Sequence, residues 1–450
     1  MGDKRAVDLT QGSIAQRVIL FSLPILAGYL FQTFYNNVDS LVVGNFVGKE
    51  ALAAVNACTP IYNLLVGFFI GMSTGASVIF SKALGAGELD RLRDGLHTTI
   101  LFSLVLGLAL GVAGVALVPF LLRLLNCQPD IFDLAADYLR WYIAGILFTA
   151  LYNVEAAILR SVGDSRSPFY ALVLSSLLNI LLDVVFVRSF GLGVAGVAIA
   201  TVLAQIISVL VLLGRLQRMD PRYRVEVGRL KMNWPLLGEI LAMGLPAGLQ
   251  SSLIAVSNIF VNRYINSFSS ELMAGVGVAQ KVDRFINMPC QALGMAATTF
   301  VSQNLGARKG ERIRRGLVSC LVIGLVTLLT TGSLIFWQAG NIMNLFNRDA
   351  LVVQYGTEMI RTLTPLYVFC LVALVCAGTL RGFGYSRQVT VLSLLGMVGV
   401  RQLYLAVFLA LHRERWVIYT CYPVGWFCDA LSMVLFGAYL YRKGKLRVEK

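Results

Sequence analysis

Charge is scarce in this chain. Asp, Glu, Lys and Arg together make up 14% of its 450 residues and histidine occurs twice, against about 25% charged residues in an average soluble domain. His97 and His412 stand singly beside apolar stretches, read as solvated or interfacial, and build no metal cluster. The eight cysteines form no CxxC pair and mostly lie inside apolar stretches, so they read as small buried hydrophobes and not as zinc ligands or a disulfide frame. No GxxxxGK followed by Ser or Thr occurs, which argues against ATP-driven work by this chain. GLGVAG at 191–196 has dinucleotide-loop spacing but neither a βαβ unit around it nor an acid about 20 residues on, so it reads as a tight turn with close helix packing. No GxGD is present to support an intramembrane aspartyl protease. No basic segment alternates with aromatic residues outside the apolar stretches, which leaves nucleic acid out as a partner. The first apolar stretch lacks a small-residue cleavage site and is expected to remain as an uncleaved span.

Apolar residues are what the chain has in excess: 57% of the total, with a mean hydropathy of +0.74. Stretches long enough to cross a hydrocarbon core of about 30 Å lie near 18–45, 51–80, 96–122, 135–159, 168–188, 192–215, 236–266, 272–304, 316–339, 352–380, 388–411 and 416–441. The expected fold is therefore an all-α integral membrane protein of twelve transmembrane helices. With the N-terminus placed inside, the inner loops and ends carry 26 Lys and Arg and the outer loops 6. Basic residues in short loops stay cytoplasmic, so both termini are expected in the cytoplasm of a multi-pass protein of the cell membrane, and the formal charge of +14 is a matter of topology.

The chain repeats itself. LGAGELDRLRDGL at 84–96 matches LGARKGERIRRGL at 305–317, and LRSVGDSR at 159–166 matches LRGFGYSR at 380–387, both at an offset of 221; Pro24 matches Pro246 at 222. The expected domains are a six-helix lobe at 1–215, a basic linker at 216–235 and a second six-helix lobe at 236–450. Six spans per copy make the repeats parallel, pseudo-symmetric about an axis along the membrane normal, an arrangement that places a substrate cavity between halves.

Inside the first apolar run, FYNNVDSLVVG at 34–44 holds two asparagines and Asp39. A carboxylate at the centre of a membrane helix costs about 2.5–3.5 kcal/mol on the insertion scale, so its presence needs a reason. Gln32, Tyr35 and Asp39 recur at i, i+3 and i+7, and Asn179 and Asp183 at i and i+4, each set forming one stripe of a helix. With Thr201 they fall in one depth band, roughly 7–14 Å from the outer surface at about 1.5 Å of rise per residue. Two carboxylates close together repel unless they share a proton or flank a cation. An all-oxygen set suits a hard ion such as Na⁺ better than a transition metal. The repeat supplies a control: at the same offsets Asp39, Asn179 and Asp183 become Val261, Val400 and Tyr404, so the architecture itself does not require the acids. Glu155, five residues before Arg160, reads as a helix-end acid with a local partner.

Pro24, the FYNNVD stretch, the LGA loops with their trailing arginines, LRSVGDSR, and the Asn179 to Asp183 spacing followed by GVAGVAIAT together resemble multidrug and toxic compound extrusion transporters over nearly the whole chain. The resemblance implies a two-lobed bundle that exports organic compounds in exchange for entering Na⁺ or H⁺, with no enzyme activity, no cofactor beyond the coupling ion, a small organic molecule as substrate, and a monomer as the working unit. Asp39, Asn179, Asp183 and Thr201 match that family's first-lobe ion positions. Gln32, Tyr35 and Asn153 match its polar cavity lining, Asn36 stands beside them as a candidate cavity or supporting polar residue, and Pro24 matches a proline whose kink accompanies protonation, here a candidate hinge. A second-lobe ion site found in some members is absent, with Ile254 in place of its glutamate and no acid from Leu371 to Cys376. The second half instead carries Gln280, Lys281, Asp283, Arg284 and, in the middle of a span, Arg401. These residues either line the substrate route or pair among themselves as packing groups, and they put the usual preference for cationic drugs in question. The alternative is a flippase for lipid-linked precursors, which uses a similar bundle with a cationic cavity.

Overall fold

A computed structural model describes residues 6–446; the side chains of Asn36 and Ser40 lie outside the described part. Fifteen α-helices form among the described residues: α1 (Ile14–Val42), α2 (Lys49–Ala86), α3 (Leu89–Leu124), α4 (Pro129–Ala144), α5 (Ile146–Ser161), α6 (Arg166–Val184), α7 (Gly193–Gln217), α8 (Trp234–Ile265), α9 (Ser270–Gly306), α10 (Gly310–Phe346), α11 (Ala350–Leu363), α12 (Tyr367–Gly382), α13 (Ser386–Leu394), α14 (Arg401–Leu411) and α15 (Arg415–Arg442). The described residues contain no strand.

The helices group into twelve segments that coincide with the twelve apolar stretches. Ten are singly long and apolar enough to cross a membrane, and the pair α4 and α5, bent by 46° at Gly145, makes an eleventh. The twelfth, α9, is a 37-residue helix, and it falls short in apolarity because its middle carries Gln280, Lys281, Asp283 and Arg284. Three short π-helical turns, Val43–Val47, Val185–Ser189 and Leu395–Val400, follow α1 and α6 and join α13 to α14. The GLGVAG stretch is a turn, with Gly191 and Gly193 at φ +64° and +56°, leading into α7.

Contacts divide the chain into two compact units, one of residues 1–7 and 27–248, the other of 8–26 and 249–450. Both divisions fall inside a helix, α1 and α8, and they are separated by the repeat offset of 222.

In the first unit, α2 meets the first half of α8 through two GxxxG sequences, GMSTG at 71–75 and GLPAG at 244–248. A Cβ on Gly75 would run into the backbone of Met243 and Gly244, and one on Gly71 into that of Ala247 and Gly248. Only glycine lets two helix backbones approach this closely. The polypeptide ahead of α8 lies over α3: the Glu226 N–H donates to His97 Nε2 at 3.0 Å, Thr98 Oγ1 donates to the Lys231 carbonyl at 3.3 Å, and the Asn233 N–H donates to Thr98 Oγ1 at 3.0 Å. His97 is thus buried and engaged, contrary to the solvated place expected for it. Asp164 accepts from Ser167 N–H (2.9 Å) and hydroxyl (2.7 Å) at the start of α6 and pairs with Arg215 at 3.1 Å.

In the second unit the segment ahead of α1 forms the equivalent strap. Arg312 donates to the carbonyls of Leu9, Gly12 and Gln11 at 3.1, 2.7 and 2.8 Å. Lys309 donates to Thr10 O at 2.8 Å and Asn304 to Leu9 O at 3.1 Å, while the Leu9 side chain is fully buried. Hydrogen bonds from a charged donor contribute about 1.5–3 kcal/mol each. Replacing Arg312 by Ala is therefore expected to speed amide hydrogen exchange across residues 8–13 at least about tenfold. Unchanged protection by mass spectrometry would show that Lys309, Asn304 and the buried Leu9 hold the strap without Arg312.

Candidate functional site

The first unit gathers the buried acids. Counted along the helical path, Asp39 stands 8 residues before the end of its π-turn at Val47, Asp183 stands 6 before Ser189, and Thr201 stands 8 after the start of α7. At about 1.5 Å per residue these depths agree within a helical turn. Asp183 is fully buried and Asn179 nearly so. Asn179 Nδ2 lies 3.5 Å from Asp183 Oδ1 and 3.4 Å from Thr201 Oγ1, both at the long edge of hydrogen bonding, and Thr201 Oγ1 donates to Val197 O at 3.0 Å. The Asp39 and Asp183 carboxyls are close enough to act on each other electrostatically.

Among the described residues, three buried oxygens of this group have no donor: Asp39 Oδ1, Asn179 Oδ1 and Asp183 Oδ2. A buried acceptor left without a donor costs about 1–3 kcal/mol, and this one group holds three. The set therefore fits a proton or a small hard cation, which satisfies oxygens that no described donor reaches. A π-turn follows both carboxylate-bearing helices, an irregularity that recurs at functional sites because it re-aims neighbouring side chains.

Tyrosines surround the acids. Tyr35 reaches Tyr62, whose ring lies 5.0 Å from that of Tyr142, and Tyr142 stacks with Tyr138 at 6.3 Å. Tyr62, Tyr138 and Tyr142 were not singled out from the sequence, where aromatic residues at i and i+4 on α4 look like ordinary core. Gln32 is half-buried on the Tyr35 and Asp39 stripe. Asn153 donates to the Thr149 carbonyl of its own helix at 2.8 Å, and Thr149 donates to Gln205 at 2.5 Å. The Asn36 side chain falls outside the described residues, and Pro24 lies within α1, which continues through it. Glu155 is buried with Oε2 unpartnered and forms no ion pair among the described residues, so the expected local partner is missing. The cause is its place among Leu151, Val154, Ile158 and Leu159 in an apolar cluster.

The polar residues of the second unit do not pair as ions. Asp283 accepts from the Tyr367 hydroxyl, Lys281 lies 6.0 Å over the Phe346 ring, and Arg284 is exposed. Gln280 donates to the Tyr422 hydroxyl at 3.0 Å. Arg401, 2% exposed, donates to Ser257 Oγ at 2.7 Å and lies 6.0 Å over the Tyr422 ring. Asn287 and Gln291, two further polar residues of α9, extend a stripe from Gln280 and Arg284 at i, i+4, i+7 and i+11.

Comparison with known proteins identifies the family. The MatE family profile matches twice, at residues 24–185 and 246–405, so both copies of the repeat are recognised from their prolines onward. The "Probable multidrug resistance protein YoeA" of Bacillus subtilis (strain 168) is 32% identical over 399 residues, covering 86% of this chain and 85% of that protein. The "FAD transporter" of Shewanella oneidensis is 26% identical over 400 residues, covering 87% of each. A solved structure, an outward-facing multidrug resistance MATE family transporter of the MOP superfamily, superposes with a TM-score of 0.91 over 99% of this chain and all of that one, at 23% identity, a likeness that speaks to the fold. The double profile match and the Bacillus relative carry the assignment: this all-helical, multi-pass membrane chain belongs to the MatE family of multidrug and toxic compound extrusion transporters and is a transporter, not an enzyme.

Proposed function

We propose that the protein exports small organic molecules across the cell membrane in exchange for Na⁺ or H⁺, and that the exchanged cation binds at Asp39 and Asp183 with Asn179 and Thr201. One observation carries this reading: among the described residues, the group of Asp39, Asn179 and Asp183 in the first unit holds three buried oxygens without a donor, and the repeat counterparts Val261, Val400 and Tyr404 offer no carboxylate. The multidrug name of the Bacillus relative supports organic substrates. Basic loops outnumber their opposite-side counterparts 26 to 6 in Lys and Arg, which supports cytoplasmic termini.

In the mechanism, a cation arriving from outside screens the two carboxylates from each other and draws α1 toward α6 and α7. The surrounding tyrosines shift with α1, the polar cavity face of Gln32 and Tyr35 contracts, and the organic substrate leaves outward. Pro24 removes one backbone hydrogen bond from α1 and supplies the bend at which the helix moves. Each cation moving inward contributes about 2.3 kcal/mol per 100 mV, enough to drive accumulation of substrate outside. Protein reconstituted into liposomes and loaded with a fluorescent dye should extrude it faster under an imposed Na⁺ gradient or an imposed pH gradient. Efflux indifferent to both gradients would refute ion coupling.

A further inference from the structure

Arg401 occupies a telling position in the repeat. Val400, its neighbour, is the counterpart of Asn179; Ser257, its hydrogen-bond partner, is the counterpart of Tyr35 at an offset of 222; Tyr422, the ring beneath it, is the counterpart of Thr201 at 221. The second unit thus holds a buried guanidinium where the first unit holds its acids.

That guanidinium is not neutralised by the protein. Among the described residues Arg401 forms no ion pair, its one hydrogen-bond acceptor is a neutral hydroxyl, and its buried Nε–H has no acceptor at all. A buried cation without a counter-charge is costly in a membrane and marks a functional group by default. Asp283, an acid on α9, is engaged by Tyr367 and, among the described residues, forms no ion pair with Arg401 or Arg284. Gln280 ties the polar stripe of α9 to the same tyrosine, and Arg284, exposed, is the next residue on that stripe. Trp426 continues the aromatic wall, 6.4 Å from the Tyr422 ring.

We infer that the second unit carries a substrate subsite for an aromatic organic anion, with Arg401 and Arg284 taking its carboxylate or phosphate and Tyr422 and Trp426 its ring. A guanidinium fork pairs two N–H groups with two oxygens of a carboxylate or phosphate, which gives the free Nε–H its acceptor. The inference rests on the exporter reading above and narrows its substrate to anions.

The test is equilibrium binding by fluorescence anisotropy to the full chain in phosphatidylcholine nanodiscs, with no ion gradient, so that a failure of ion coupling leaves the readout untouched. Carboxyfluorescein and flavin mononucleotide serve as carboxylate and phosphate probes, and rhodamine 6G as an aromatic cation. Wild type is expected to bind at least one anionic dye ten times more tightly than rhodamine 6G, and the dye bound identifies the anionic group. Arg401→Gln is expected to weaken anion binding at least tenfold and Arg401→Lys to restore part of it. Arg284→Gln, an exposed change that leaves the packed interior intact, is expected to weaken it at least threefold and decides the matter if Arg401→Gln does not fold. Equal or tighter binding of rhodamine 6G by wild type, or anion binding unchanged in both glutamine variants, overturns the proposal.

Discussion

Asparagine at both Asp39 and Asp183 is expected to reduce ion-driven dye efflux to background. The two carboxylates are the only anionic members of the cluster formed with Asn179 and Thr201, and asparagine keeps one neutral carbonyl oxygen at each position while removing both negative charges that balance a cation. Two charge-assisted contacts at about 1.5–3 kcal/mol each correspond to a loss of at least about 100-fold in cation affinity. Side-chain volume is nearly unchanged, so the double variant should elute and melt like wild type, which separates a lost ion site from a lost fold. The measurement is dye efflux from liposomes under an imposed gradient, alongside uptake of labelled Na⁺. Efflux at the wild-type rate from the folded double variant would remove the cluster from the mechanism.

The second large effect concerns architecture. Leucine at Gly75 is expected to cost more than about 3 kcal/mol, because its Cβ meets the backbone of Met243 and Gly244, where no rotamer change gives relief. The protein should lose its single symmetric size-exclusion peak and its cooperative thermal transition. Gly437→Ala is the matched control: a Cβ there meets open space within α15, and a helix gains up to about 1 kcal/mol from the exchange. A Gly75→Leu protein that melts with wild type would mean that α2 and α8 slide apart at little cost.

The twelve segments were legible because apolar runs of this length have one solution in a bilayer, a helix with every backbone group bonded internally. Asp39 and Asp183 were legible for the opposite reason: each breaks such a run, and the repeat showed that Val261 and Tyr404 serve equally well as fold positions. Irregularities of the backbone were not. The π-turn at Val43–Val47 is written in Val, Gly, Asn, Phe and Val, which carry no signal for an extra residue per turn, and Gly145, where α4 and α5 bend, sits between Ala and Ile like any packing glycine. The strap ahead of α1 was hidden because its partners are carbonyls, which every residue has, so only the donor Arg312 left a trace. His97 was misjudged in its surroundings because burial by a segment distant in sequence cannot be read from neighbours along the chain, and Glu155 because the apolar neighbours on its own helix were outweighed by the nearness of Arg160. Along α9, Gln280 and Arg284 stood out by chemistry, while Asn287 and Gln291 needed the helical face to join them.

The boundary between units cuts α1 and α8 at positions one repeat apart, so each unit is completed by the leading half of a helix from the other copy of the repeat. During synthesis the first unit stays open, with the glycines of α2 unmatched, until the chain has been made through Gly248. The exchange of leading helix halves is intramolecular in this chain, so neither copy of the repeat completes a unit from its own helices alone.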